Sequence, residues 1–348
     1  MRTFYSLCFF IVCSLSVSAQ DIHFSQFYMS PLNLNPAMTG VMNCNSRVAI
    51  NYRSQWASIL GSSAFQTYSV SYDQRIAVGR DDNFGIGATF WGDRAGQADF
   101  ATTTGKLSAS YAKKVGGSRK YGNYLVAGVE GGAAQRSLNF LKLRWGTQHD
   151  GAGGFDPAAP TLETGFDRDQ FLFMDLAAGL LWFMVFDENN SLYAGGSFHH
   201  LNRADQSFSS AEEDLLYSRY TVHAGGEFML GRRIGLVPGV IMMSQGPSFQ
   251  VNAGTNVKFL LDGGRNTNTQ SFQVGLWTRV SNRLDDSVLT DAIILSSRFD
   301  YENFALGFSY DINTSGLSDV TNGNGGFELS LQYKICGKQQ RGVYCPTF

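Results

Sequence analysis

The sequence predicts an all-β chain that closes into a transmembrane antiparallel β-barrel of an outer membrane, with about 14 strands and an N-terminal segment that is periplasmic or plugs the barrel. Three observations lead there. Apolar and polar residues alternate with period two almost to the end of the chain. The connections between the alternating segments are long and short by turns. The composition is lean in charge, 16% against roughly 25% in an ordinary soluble domain, with 39 glycines and 14% aromatics. Lys and Arg total 27 against 29 Asp and Glu, so no cationic surplus exists for a phosphate backbone, and nucleic acid is not an expected partner. The 43% hydrophobic content excludes a disordered chain. No stretch of the expected mature chain approaches the roughly 18 consecutive apolar residues of a membrane-spanning helix.

Residues 1–19 read as a cleavable secretory signal: Arg2 supplies the positive end, Tyr5 to Val12 an apolar core, and Val17, Ser18 and Ala19 a small-residue cleavage site before Gln20. Bulky Ile11 and Val12 before Cys13 argue against a lipoprotein. Cleavage removes Cys8 and Cys13 and leaves Cys44, Cys336 and Cys345, an odd number that excludes a full disulfide scaffold. A bridge between Cys336 and Cys345 would close the C-terminal tail in an oxidising compartment; two free thiols are the alternative. Residues 20–45 lack sustained alternation and form an N-terminal periplasmic or plug segment; the sequence does not choose between entering the barrel and lying beneath it.

The barrel occupies residues 46–336, with strands expected near 46–54, 65–75, 83–92, 101–114, 121–136, 170–186, 190–201, 217–230, 233–243, 248–261, 270–280, 289–299, 303–312 and 325–336. The last is the clearest: Phe327, Leu329, Leu331, Tyr333 and Ile335 alternate with Glu328, Ser330, Gln332 and Lys334. Odd-numbered connections include Gln55–Ala64, Ser137–Asp169, Asn202–Leu216 and Asn313–Asn324. Even-numbered ones include Asp187–Asn189, Gly231–Arg232 and Asp300–Glu302, as an outer-membrane barrel with long external loops and short periplasmic turns requires. The apolar faces, rich in Phe, Leu and Val, suit a lipid bilayer. The polar faces, rich in Gly, Ser, Ala, Asn and Gln, suit an interior of small side chains, a plug or water. Tyr52, Trp56, Trp91, Trp182 and Tyr333 are candidates for interfacial girdles. Residues 337–348 form a periplasmic tail.

Chemistry is sparse. The histidines His23, His149, His199, His200 and His223 lie in no metal-ligand spacing, and the adjacent pair His199 and His200 is expected on opposite faces of a strand. Glycine doublets lack the strand-to-helix setting of a phosphate loop, and no G-x-S-x-G elbow occurs. Asp285, Asp286 and Asp291 on an expected external loop, like Asp167, Arg168 and Asp169, read as solvated charge rather than a calcium loop. No catalytic, cofactor-binding or metal residues are expected, and no enzyme.

Residues Asp21 to Tyr28, Pro31 to Ala37 with Gly40, and Tyr52 to Trp56 resemble the PorP/SprF family of outer-membrane proteins from the type IX secretion system of Bacteroidota. Phe308 to Asn313, Gly325 to Ser330 and the closing Cys345-Pro346 are similar to that family's ending, and the resemblance covers the whole mature chain except about 137–169. It implies a non-enzymatic barrel working with large exported proteins: a secreted adhesin or surface protein, recognised through its C-terminal sorting domain for export or retention, and a periplasmic ring lipoprotein with its partner in the secretion machine. The positions to which it gives weight, as structural or partner-facing, are Phe24, Gln26, Asn35, Pro36, Gly40, Tyr52, Arg53, Gln55, Trp56, Tyr310, Asp311 and Asn313. A barrel of this size is too narrow to pass a folded adhesin and so is expected to bind it. The alternative is a diffusion channel or hydrophobic-compound transporter, which a polar lumen would allow.

Overall fold

A computed structural model describes residues 21–79, 81–117, 121–162, 167–187, 190–211, 213–261, 270–282, 288–316, 318–337 and 345–346. The expected signal peptide, Asp285, Asp286 and most of the tail lie outside the described residues.

Period-two alternation becomes strands because each segment has one face that suits lipid and one that does not. The strands are β1 Ser46–Gln55, β2 Phe65–Val78, β3 Asp82–Ala95, β4 Phe100–Gly117, β5 Gly122–Ser137, β6 Gln170–Asp187 and β7 Asn190–His199. They continue with β8 Arg219–Met229, β9 Ile234–Gln245, β10 Ser248–Leu260, β11 Ser271–Asn282, β12 Val288–Tyr301, β13 Phe304–Asn313 and β14 Asn324–Ile335. Sequential neighbours pair antiparallel, and β1 pairs β14 from Ser46↔Ile335 to Gln55↔Gly326, closing a 14-strand barrel. Closure leaves no edge and pairs backbone groups within the bilayer. Outward faces carry Ile50, Val70, Phe90, Leu107, Val129, Leu180, Leu276, Leu306 and Leu329, all exposed, while Asn51, Ser69, Ser108, Asn252, Ser309 and Ser330 point inward and are buried.

The expected alternation of connections holds in outline. The β5–β6 connection (138–169), the β7–β8 connection (200–218), 56–64 and 314–323 share one end, which is external by the rule for such barrels, and 79–81 and 302–303 sit at the other. The β10–β11 connection, 261–270, is a long exception at the periplasmic end.

Two sequence expectations about faces fail for physical reasons. Trp91, a girdle candidate, is buried among the inward positions of β3, whereas Trp182 does face outward and donates to Asn123 Oδ1 at 2.7 Å. The lumen is also not polar throughout: Tyr124 and Val126 of β5, Leu181, Phe183 and Val185 of β6 and Tyr193 of β7 are inward and buried. They pack in one cluster with Leu34, Ala37, Met38 and Val41 of the N-terminal segment. Lipid outside and this segment inside make both faces of β6 apolar, which is why its alternation is blurred.

Candidate functional site

The segment from Asp21 to Asn45 runs through the barrel. Its residues touch inward side chains around the wall: Gln245 of β9 at the external end, Asp311 of β13, Glu328 of β14, Ser69 and Asp73 of β2, and Ser108 and Ser110 of β4. The first described residue, Asp21, thus sits at the external end, while Cys44 reaches the periplasmic start of β1. Of the two ends, only Cys44 shares the periplasmic side with the C-terminal tail.

Short turns let the segment fill the lumen compactly. Asn35 precedes the 3-10 turn Pro36–Met38, and its side chain accepts from Ala37 N at 2.9 Å. Its amide donates to the carbonyls of Leu180 and Gly196 at 3.0 and 3.2 Å, so a single capping residue also anchors the turn to β6 and β7. Gly128 of β5 lets the turn approach, since a Cβ there would lie 2.5 Å from Ala37 N. Gly40 has φ +71°, donates to Asp73 Oδ2 at 2.8 Å, and a Cβ on it would lie 2.6 Å from the Gly85 Cα. Phe27 and Tyr28 pack on Trp277 of β11, both with ring centroids 5.6 Å apart.

Charge pairs fix the segment at three places. At the external end Arg53 and Arg279 both bind Asp311, the first at 3.0 Å, and Arg279 also pairs Asp291 at 2.9 Å. Ser25 donates to Asp311 at 2.9 Å, and the backbone N–H groups of Ser25 and Gln26 donate to Glu328 at 2.7 and 2.9 Å. Burial, with Arg53 and Arg279 alongside, holds His23 well below the ordinary imidazole range. Across the lumen, His200 bonds Asp21 and, at 2.8 Å, Asp175; Asp175 pairs Lys106 at 2.8 Å, which pairs Glu130 at 3.0 Å. Burial disfavours charge on His200, but Asp21 and Asp175 outweigh it and push its pKa up to about 9. Burial opposes ionisation of Asp21 too, and His200 and Arg219 overcome it, holding the carboxyl well below its usual range. Nearer the periplasm, Arg47 pairs Asp73 at 2.9 Å and donates to the Met38 carbonyl.

The structure divides the sequence-predicted positions into two groups. Phe24, Gln26, Asn35, Pro36, Gly40, Arg53 and Asp311 come together where the segment meets the wall, all buried or in buried bonds. Tyr52 faces outward against Phe327, Trp56 takes φ +56° beyond β1 and packs on Phe65 with ring centroids 4.9 Å apart, and Gln55 is half-buried. Tyr310 donates outward to Asn324, and Asn313 caps Ser315 at the rim. Sequence reasoning missed His200: it lies just past β7 with φ +57°, which turns it inward beside His199 instead of to the opposite face, and both rings are buried. Asp291 is likewise not a loop residue but the β12 partner of Arg279.

The expected bridge is corrected as well. Cys44 pairs with Cys336, tying the end of the segment to the end of β14, and Cys345 is a buried free thiol whose N–H donates to Asn43. Two cysteines 292 residues apart in sequence become neighbours only when β1 closes on β14.

At the external end, the two longest loops pack together. Arg168 pairs Asp205 at 3.3 Å, Ser210 donates to Asp167, and the Phe208 ring meets Phe100, Phe140 and Phe171 at 6.3, 6.1 and 5.1 Å. Leu141 and Leu162 stand out from this knob, 96% and 78% exposed.

A closed 14-strand antiparallel barrel with an apolar outer face defines an outer-membrane β-barrel protein. The family model described as type IX secretion system membrane protein PorP/SprF matches residues 16–333, and the chain belongs to that family. No curated protein matches it in sequence. Among solved structures it is similar to the toluene transporter TodX of Pseudomonas putida (10% identity, TM-score 0.44, covering 91% of this chain and 95% of that one). It is also similar to the KdgM porin (6%, 0.36, 83% and 99%) and to CdiB from Acinetobacter baumannii (9%, 0.44, 84% and 60%). These likenesses are too remote to bear on what this chain does.

Proposed function

We propose that this outer-membrane barrel is a non-enzymatic component of the type IX secretion system that binds a large exported surface protein, through that protein's C-terminal domain, and helps export or retain it. The observation that carries the reading is the occupied lumen. A segment held at three charge clusters and by an apolar cluster occupies the lumen, and the surfaces at the two ends of the barrel are then the ones to act on a partner. The knob formed by the β5–β6 and β7–β8 connections, with Leu141 and Leu162 exposed, is the surface for the exported protein. The periplasmic end, with the disulfide and tail, is the surface for the ring lipoprotein and its partner.

Affinity isolation of the tagged protein from detergent-solubilised outer membranes, followed by mass spectrometry, tests the reading. Recovery of one large secreted protein, retained through its C-terminal domain, supports it, and deletion of the gene is then expected to stop export or surface attachment of that protein. Recovery of periplasmic ring proteins alone assigns the barrel to the core machine. A barrel that purifies alone and conducts ions in planar bilayers replaces the reading with that of a diffusion channel.

A further inference from the structure

Beneath Tyr28 and Trp277, at the periplasmic end of the barrel, lies a cavity of about 130 Å³ whose wall includes Lys258 of β10, Arg298 of β12 and Lys334 of β14. Its acidic lining is Glu227, Asp300 and Glu302, the last on the β12–β13 turn and exposed. Lys258 pairs Glu227 at 2.6 Å and Arg298 pairs Asp300 at 2.9 Å. Lys334 is half-buried, and its ammonium has no ion pair or hydrogen bond among the described residues; the cations Arg298, Arg47 and Lys258 and one carboxylate, Asp300, are among the charges acting on it. A cation partly withdrawn from water and facing more cations than anions gains free energy when a further anion joins it.

The β8–β9 hydrogen-bond ladder is interrupted at the same place. The β8–β9 ladder runs from Arg219↔Gln245 to Met229↔Gly235, but Gly226 and Glu227 have no recorded pairing with Pro238 and Val237. Pro238 has no N–H to give to the ladder. Gly226, Glu227, Val237 and Pro238 all line the cavity, which therefore lies against this break in the ladder.

We propose that this cavity binds a phosphate group, with Lys334 as its principal contact and Lys258 and Arg298 in support. Its volume is below the roughly 300 Å³ at which pockets for whole drug-sized ligands begin, so it suits an anionic group rather than a complete cofactor. Lysine meets phosphate as a point charge, and Tyr28, Tyr193 and Trp277 give the cavity an apolar roof. The phosphate belongs either to a soluble anion from the periplasm or to a phospholipid headgroup.

The test uses the full chain in nonionic detergent and phosphate-free buffer, with barrel integrity checked by heat-modifiable gel mobility. Inorganic phosphate is titrated and followed by calorimetry, and phosphatidylglycerol in mixed micelles is followed by native mass spectrometry. Saturable binding in at least one arm is expected, weakened about tenfold or more by K334Q and unaffected by K113Q, which removes an exposed lysine paired to Asp82. Binding of inorganic phosphate alone assigns a soluble source. Binding of phosphatidylglycerol without binding of inorganic phosphate assigns a lipid headgroup. Absence of saturable binding in both arms, or equal loss in K334Q and K113Q, overturns the proposal.

Discussion

The two halves of the N-terminal segment are held by opposite physics. From Asp21 to Gln26 the contacts are ionic and directional: Asp311 lies between Arg53 and Arg279, Glu328 receives two backbone N–H groups, and Asp21 meets His200. From Leu34 to Met42 the polar contacts of Asn35, Thr39 and Gly40 are joined by an apolar cluster, with Ala37 and Met38 fully buried against Tyr124, Val126, Leu181 and Phe183. A buried ion pair recovers much of what its desolvation costs and specifies position more than it adds stability, whereas apolar burial stabilises without directing. The first half is held by directional contacts, and the second adds apolar burial to them.

The largest expected effect breaks the charged half. Asp311→Ala leaves Arg53 and Arg279 buried without their shared carboxylate, and should destabilise the barrel by about 3–5 kcal/mol in urea unfolding followed by tryptophan fluorescence. Replacing Arg53, Arg279 and Asp311 together by Met, Met and Leu should cost far less; an equal loss would show that the ion cluster itself stabilises the fold. Leu181→Ala attacks the apolar half. With its side chain fully buried, about 2–5 kcal/mol should be lost, together with faster proteolysis of the segment.

Removing the covalent tie is expected to matter somewhat less. Cys336→Ser should cost about 2–4 kcal/mol, comparable with disulfides that close long loops, and should not allow Cys345 to bridge in its place, which mass spectrometry of the non-reduced protein would reveal. The smallest effect sharpens the comparison through pH. Because the His200 pKa is raised to about 9 from an ordinary value near 6.5, the stability it lends is complete below about pH 6.5 and lost as pH rises through about 9. Asp21, held low, acts in the opposite sense and weakens the contact only in strong acid. Proteolysis near Asp21 should therefore accelerate between pH 7 and 10, and His200→Gln should remove that dependence.

Much was legible in the sequence because a lipid bilayer imposes a period. All 14 strands fall within a few residues of where alternation places them, since an inward slip of one residue would turn an apolar row such as Phe327, Leu329 and Leu331 into the lumen. The motif residues were legible as important but not as to their task. Arg53 and Asp311 are 258 residues apart, and nothing local says that they meet. Those motif positions that face inward serve to hold the segment.

The sequence by itself determined the barrel, its strand number, its apolar outer face and the end on which most long loops lie. These follow from residue-by-residue alternation and from turn chemistry, both local. Only the tertiary structure decided that residues 21–45 occupy the lumen, that Cys44 pairs with Cys336, that His200 turns inward and that Lys334, without an ion pair among the described residues, shares a cavity with the break in the β8–β9 ladder. Each of these depends on closure, which brings the first strand to the last and gives the lumen an interior whose occupants are distant in the chain.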